Sequence, residues 1–260
     1  MTNPRKYGNP PFTVAVIHGG PGAAGQMPPV AQELSQLFGT IEPLQTSTSL
    51  EGKMNELRVL LKKHETKPMT LIGHSWGAWL VFLYASNYSS SIKKIILVSS
   101  GPFEEHYAPQ IITTRINRLK EKEIIQFTTL IDSLHNPYAK DKTKFFVQLG
   151  KLLFKTDSFN PLRYIAEEIE YRYDIFESVW SEAEKLRRNG TLLQMGKQIR
   201  CPVVAIHGDY DPHPTTGIEE PLSHIVKDFR FILLKNCGHY PWMERDAKNN
   251  FYKIIYEELQ

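Results

Sequence analysis

Thr70-Leu71-Ile72-Gly73-His74-Ser75-Trp76-Gly77-Ala78-Trp79-Leu80-Val81 is the stretch whose reading decides the fold. The apolar run ending at Ile72 reads as a buried strand and Trp76 onward as a helix, which leaves Ser75 on the turn between them. A strand that reverses into a helix within so few residues strains its apex, and the residues two positions to either side must be small where strand and helix cross. Gly73 and Gly77 fill those positions, completing the G-x-S-x-G pattern of a nucleophile elbow. Such a turn lifts a hydroxyl clear of the sheet and leaves the amide of Trp76 at a helix N-terminus, aimed at a developing oxyanion. The pentapeptide also arises by chance in Gly- and Ser-rich loops, so the flanking strand and helix carry the reading.

Working outward, Thr13-Val14-Ala15-Val16-Ile17 is a β-branched run that stops at His18-Gly19-Gly20-Pro21-Gly22, as expected of a central parallel strand buried on both faces. The glycines let this loop turn its amides inward, and the amide of Gly20 is the expected second oxyanion donor beside Trp76. A phosphate loop would need G-x-G-x-x-G or a terminal Lys-Ser/Thr, and neither is present. Glu51 to Glu65 reads as a helix with Met54, Leu57, Leu60 and Leu61 on one face, and Ile95 to Val98 as a further buried strand. Alternation of this kind builds an α/β, doubly wound and mostly parallel sheet whose ligand site lies at the carboxyl ends of the strands.

The texture changes after Gly101-Pro102. From Phe103 to about Asn189 the strand pattern gives way to three helices, Ile111 to Leu134, Asp141 to Phe154 and Pro161 to Arg188. An all-helical block inserted between two strands reads as a lid over the strand ends. The expected organisation is therefore a core of residues 1–102 and 190–260 carrying a lid of residues 103–189. The last two strands are Pro202 to His207 and Phe231 to Leu234, followed by loops bearing Asp211 and His239, and Glu244 to Leu259 closes the chain as a helix.

A serine hydroxyl is a poor nucleophile until a base takes its proton, and that base needs an acid to hold its tautomer. Ser75, Asp211 and His239 each follow a strand, so one sheet edge gathers them. Asp209 is the competing acid, but its place tight against the strand end suits a turn-forming role better. Among nine histidines, His18, His74, His207 and His213 also lie near strand ends, so a metal cluster with Asp209 and Asp211 is conceivable. No H-E-x-x-H or paired-Cys spacing supports one.

These motifs together resemble the α/β-hydrolase fold family over nearly the whole chain. His18-Gly19-Gly20-Pro21-Gly22 is similar in particular to the proline iminopeptidase branch, whose members release an N-terminal residue, typically proline, from peptides. The resemblance implies Ser75 as nucleophile, Asp211 as acid in Gly208-x-x-Asp211, His239 as base in Gly238-His239, and the amides of Gly20 and Trp76 as oxyanion donors. Two departures stand out. The branch usually has additional antiparallel strands before the glycine-loop strand, and usually Gly-Gly-Ser-Trp-Gly at the elbow, where His74 of this chain is the residue commoner among esterases and general hydrolases.

Aminopeptidases of that branch hold the substrate ammonium with acidic lid side chains. Glu167, Glu170, Asp174 and Glu177 recur at helical spacing as a solvated face, and Glu168 lies off that stripe as the candidate amine anchor. Tyr240 and Trp242, with Trp76, are candidates to line an acyl pocket, Trp79 reads as core, and Cys237 as a packing residue beside the base. The expected activity is hydrolysis of an ester or amide of a small-molecule or short-peptide substrate. An iminopeptidase-like aminopeptidase is the alternative, and a non-hydrolysing ligand receptor on the same fold is the reading from another class.

Composition narrows the partners. Hydrophobic content of 41%, charged content of 23% and net charge of +3 are ordinary for a globular protein and point away from nucleic acid. No apolar run approaches a membrane span, the basic start has no apolar segment behind it, and the basic stretch Lys140 to Lys155 is a weak membrane signal, so stable membrane association is not expected. Two cysteines make no disulfide framework and lack metal-ligand spacing. The expected location is cytoplasmic, with neither a metal nor an organic cofactor required.

Overall fold

The computed structural model describes residues 3–64, 68–162 and 169–260. In chain order it has strands β1 (Arg5–Tyr7), β2 (Phe12–Ile17), β3 (Ala23–Ala24), β4 (Gly39–Glu42), β5 (Met69–His74), β6 (Ile92–Val98), β7 (Glu170–Tyr171), β8 (Val203–Gly208) and β9 (Phe229–Leu234). Its helices are α1 (Pro28–Leu34), α2 (Leu50–His64), α3 (Trp76–Tyr88), α4 (Ala108–Asn117), α5 (Glu121–His135), α6 (Lys142–Asp157), α7 (Tyr173–Arg188), α8 (Thr191–Gln194), α9 (Thr216–Ile225) and α10 (Lys248–Leu259). Seven strands form one sheet in the order β1-β4-β2-β5-β6-β8-β9, parallel except for β1 against β4.

The near-continuous apolar strands have a simple cause. Ala15 and Ile17, Ile95 and Leu97, Val203 and Ala205 feed the core beneath α2, α3 and α9, while Val14 and Val16, Ile96 and Val98, Val204 and Ile206 feed the core beneath α1 and α10. Each parity of the strand therefore buries against a different helical layer, and alternation with polar residues would leave one layer unfilled. Helix α3 runs through the centre and is buried from Trp76 to Ser86, which accounts for its apolar character on every side.

The segment between β6 and β8 has a small apolar cluster of its own, built on Leu119, Phe127, Leu130, Leu134, Leu149 and Leu152. Three expectations about it are corrected. The expected helix from Ile111 to Leu134 is two helices, broken at Arg118 to Lys120, where Lys120 turns extended and caps α5 with its N–H on the Glu123 carboxylate. Of the expected helix from Pro161 to Arg188, residues 163–168 lie outside the described part, and the described residues become helical at Tyr173. The segment is not all helical either, because β7 pairs antiparallel with β3 of the glycine loop. A two-residue strand has too few positions for a period-two signal.

The strand-to-helix crossing is extremely close. A Cβ built on Gly73 would lie 2.2 Å from the carbonyl oxygen of Gly77, and one on Gly77 would lie 2.5 Å from that of Ile17. Neither neighbour is a flexible side chain that can swing aside. Gly73→Ala is expected to lower the unfolding free energy by about 3 kcal/mol or to prevent folding. Urea denaturation of the variant checks this, and wild-type stability would contradict so close a crossing.

Candidate active site

Ser75 occupies the turn between β5 and α3 with φ 53° and ψ −115°, a region that side-chain-bearing residues rarely enter. Its amide donates to the Val98 carbonyl at 2.9 Å and its carbonyl accepts from Ala78 at 3.1 Å, so the apex is held from both sides. The hydroxyl itself makes no hydrogen bond among the described residues, to His239 or to any other group. In a resting site a nucleophile and its base are often apart and close up only around substrate.

Asp211 and His239 are brought together. Each lies in the loop after a strand, β8 and β9, and His239 Nδ1 donates to Asp211 Oδ2 at 2.7 Å with both residues buried. Burial pushes the Asp211 carboxyl upward, but the charges of His239, His213 and His207 outweigh it and hold the group well below the ordinary carboxylate value. The His239 ring lies against the elbow, its centroid 4.8 Å from that of His74, whose Nε2 donates to the His239 carbonyl at 2.9 Å. Burial, reinforced by the nearby charge of His239, holds the His74 imidazole neutral. Asp209 is exposed and braces the turn instead, accepting the Cys237 amide at 3.3 Å.

The two amides expected at the oxyanion position are uncommitted. Trp76 is the first residue of α3, with no helical carbonyl four residues behind it, and the Gly20 amide donates to no described group. Gly20 has φ +59°, and its neighbour Gly19 spends its own amide on Gln26 Oε1 at 2.9 Å. The loop is fastened on two sides. Lys53, fully buried on α2, donates from Nζ to the carbonyls of Pro21 and Gln45 at 3.1 and 3.0 Å. On the other side the Gly22 carbonyl accepts from Arg172 at 2.8 Å, just before β3 pairs with β7.

Tyr240 lies beside both histidines, its ring 5.1 Å from that of His239, 5.4 Å from that of His74 and 5.2 Å from that of Phe154 on α6. Trp242 is buried, packed edge-on beneath His74 at 4.7 Å and against Phe251, which makes it core support. Trp79 is core too, stacked at 5.5 Å on Trp180. Glu168 lies outside the described residues. The Cys237 thiol is pushed far above its ordinary value, chiefly by burial, which suits packing and not nucleophilic attack.

Asp211, His213 and His239 offer three metal-ligand atoms within 4.8 Å of one another. The imidazole nitrogens stand only 2.6 and 2.7 Å from the carboxylate oxygens. Ligands around a tetrahedral zinc are roughly 3.3 Å apart at ordinary bond lengths, so this spacing suits shared protons.

The segment between β6 and β8 grips the histidine loop directly. The His239 amide donates to the Asp157 carbonyl at 2.7 Å, and a Cβ on Gly238 would lie 2.2 Å from that same oxygen. Asp157 is in turn held by Arg115 through a paired contact at 2.9 and 2.6 Å. Glu244, fully buried, accepts the amides of Gly238, Phe159 and Asn160 at 3.0, 2.8 and 2.7 Å. Sequence reasoning missed Lys53 and Glu244. Lys53 had a signal, since it shares the i, i+4, i+8 stripe of Leu57 and Leu61 that faces the core. Glu244 had none, because two of its three amides come from Phe159 and Asn160, 85 and 84 residues away in sequence.

Residues 53–246 match the sequence model described as the alpha/beta hydrolase fold. The chain belongs to the alpha/beta hydrolase fold family. Among curated relatives, this alpha/beta hydrolase is 25% identical over 276 residues to the proline iminopeptidase of Saccharolobus solfataricus, covering 95% of this chain and 85% of that one. It is 22% identical over 216 residues to the human monoacylglycerol lipase ABHD6, covering 81% of this chain but only 61% of the lipase. Among solved structures, the monoacylglycerol lipase of Paleococcus ferrophilus aligns with a TM-score of 0.62 at 17% identity, covering 100% of this chain and 98% of that one. The enol-lactonase of Burkholderia xenovorans aligns at 0.63 and 14% identity, covering 98% and 95%. At such identities the structural likeness shows the fold alone. The chain is a hydrolase of this family, and among the described residues no helix is long and apolar enough to cross a membrane.

Two outcomes follow for the supports. Glu244→Ala strands three buried amides, and urea titration should show a loss on the order of 3 kcal/mol or more. For Lys53, burial lowers the ammonium group from 10.5 to about 8 in the native state. Between those values the unfolded chain binds more protons, so native stability rises with pH across the window. Unfolding titrations between pH 8 and 10.5 should show the wild type gaining on Lys53→Met, and parallel curves would refute the shift.

Proposed function

We propose that this hydrolase cleaves an ester or amide bond of a small substrate through a covalent acyl-enzyme, with Ser75 as nucleophile, His239 as base and Asp211 as the acid that orients it. One observation carries the reading: the Asp211-bound imidazole of His239 packs at 4.8 Å against the elbow residue adjoining Ser75. A strained apex with an uncommitted hydroxyl, next to a base already fixed in its tautomer, has no structural use that a plain turn would not serve better.

His239 Nε2 takes the Ser75 proton as the hydroxyl attacks the substrate carbonyl. The amides of Gly20 and Trp76 receive the oxyanion, and the imidazolium protonates the leaving alcohol or amine as the tetrahedral intermediate collapses. Water then repeats the sequence on the acyl-enzyme and frees the acid. Residues 103–189 act as a cap over the carboxyl ends of the strands, supported by their own apolar cluster and by the approach of Phe154 to Tyr240 beside the base. Cys201 and Cys237 are free and buried, which suits a reducing cytoplasm.

Ester hydrolysis is the favoured chemistry, because the buried acids nearest the histidine loop are already spent. Asp157 is held by Arg115 and Glu244 by three amides, leaving neither to bind an ammonium group. The iminopeptidase-like reading stays as the second, favoured by the 25% identity that covers 95% of this chain.

Ser75→Ala is expected to abolish labelling by a fluorophosphonate and to lower kcat by about 10,000-fold or more. A panel of p-nitrophenyl esters and aminoacyl nitroanilides, L-prolyl included, separates the two chemistries. Labelling that survives Ser75→Ala refutes the nucleophile, and a wild type that neither labels nor turns over any member is a ligand receptor on this fold.

A further inference from the structure

Asp211 is shared. While His239 Nδ1 donates to its Oδ2 at 2.7 Å, His213 donates twice to its Oδ1, from the backbone amide at 2.9 Å and from the ring Nδ1 at 2.6 Å. The two imidazoles are stacked, with centroids 4.5 Å apart and planes inclined by 26°. The turn presenting His213 is itself fixed, because His207 Nε2 donates to the His213 carbonyl at 2.9 Å and lies 3.5 Å from Asp211 Oδ2. A single carboxylate thus serves two nearly parallel imidazoles, and the catalytic reading uses only one of them.

We propose that His213 is a positioning residue that clamps one oxygen of Asp211, keeps the other for His239, and thereby limits how strongly the acid stabilises the His239 imidazolium. This rests on the triad reading given above. A carboxylate facing only one imidazole concentrates its charge on that partner, whereas a short N–H bond from a second neutral ring draws part of the charge away. His213 is suited to this as a neutral donor: burial lowers its imidazole to about 4 despite the Asp211 charge beside it. The consequence is a base that stays unprotonated, and so able to accept the Ser75 proton, further into mildly acidic solution.

Other charged or titratable groups face the same cluster. His74 lies tilted against His239, Tyr240 lies edge-on to it, His207 approaches Asp211, and the Arg115 guanidinium acts on both Asp211 and His213. All of them remain when His213 alone is changed, so a difference between variants at this position reports on its own N–H bond.

The test compares the pH dependence of kcat/KM for a p-nitrophenyl ester in wild type, His213→Leu and His213→Asn. Leu fills the space without a donor, and the clamp then predicts that the acid limb moves to higher pH by about one unit. Asn restores a short neutral N–H donor and should return the limb to within a few tenths of wild type. An unmoved limb in His213→Leu, with kcat and KM changed alike, would overturn the proposal. Should the Leu protein fail to fold, proton NMR of wild type and His213→Asn decides: the wild type should carry a downfield imidazole N–H signal that His213→Asn lacks while the other ring signals stay, and identical downfield spectra refute the sharing. Fluorophosphonate labelling of wild-type Ser75 keeps the two ideas apart. Absence of labelling sinks the triad, while labelling with an unmoved limb sinks only the role of His213.

Discussion

Backbone packed against backbone at the crossing of β5 and α3 is the constraint on which the remainder of this molecule depends. With Gly73 against the Gly77 carbonyl and Gly77 against the carbonyls of Ile17 and His18, helix α3 starts directly beside the end of β2. That proximity sets the uncommitted amide of Trp76 next to the loop that carries Gly20, and it forces Ser75 into a conformation only a well-buried surround can hold. The surround is the two-sided core, whose strands supply one parity of side chain to each helical layer.

A second theme is that the rim is held by polar groups with no freedom left. Glu244, Asp157, Lys53 and His213 each bind main-chain groups or a partner charge in sites that water does not reach, and leaving any of their partners unmet is costly. The segment between β6 and β8 takes part in this. Its α6 end holds the His239 amide, and Arg115 holds α6 in turn, so the segment is tied mechanically to the loop that carries His239.

Much of this was legible in the chain. Central parallel strands are β-branched runs that stop abruptly, so the placement of Ser75, Asp211 and His239 just past strand ends followed from local composition, and Gly73 and Gly77 marked the sharp reversal. What stayed hidden has physical causes. Arg118-Leu119-Lys120 breaks a helix without glycine or proline, and α1 begins at Pro28 because proline suits a first helical position, ahead of any apolar stripe. The pairing of β3 with β7 joins residues nearly 150 positions apart through two residues a side, too short to leave a pattern. His213 was visible only as one of several histidines near strand ends, since sharing a carboxylate is a matter of ring orientation.

That small ladder matters beyond its size. Because Gly22 and β3 are stitched to Arg172 and β7, while Lys53 pins Pro21 from the opposite flank, the stretch bearing Gly20 is strung like a bridge deck between the core and the inserted helices. A displacement of those helices must either break the ladder or drag one abutment, and the backbone at Gly20 moves with it.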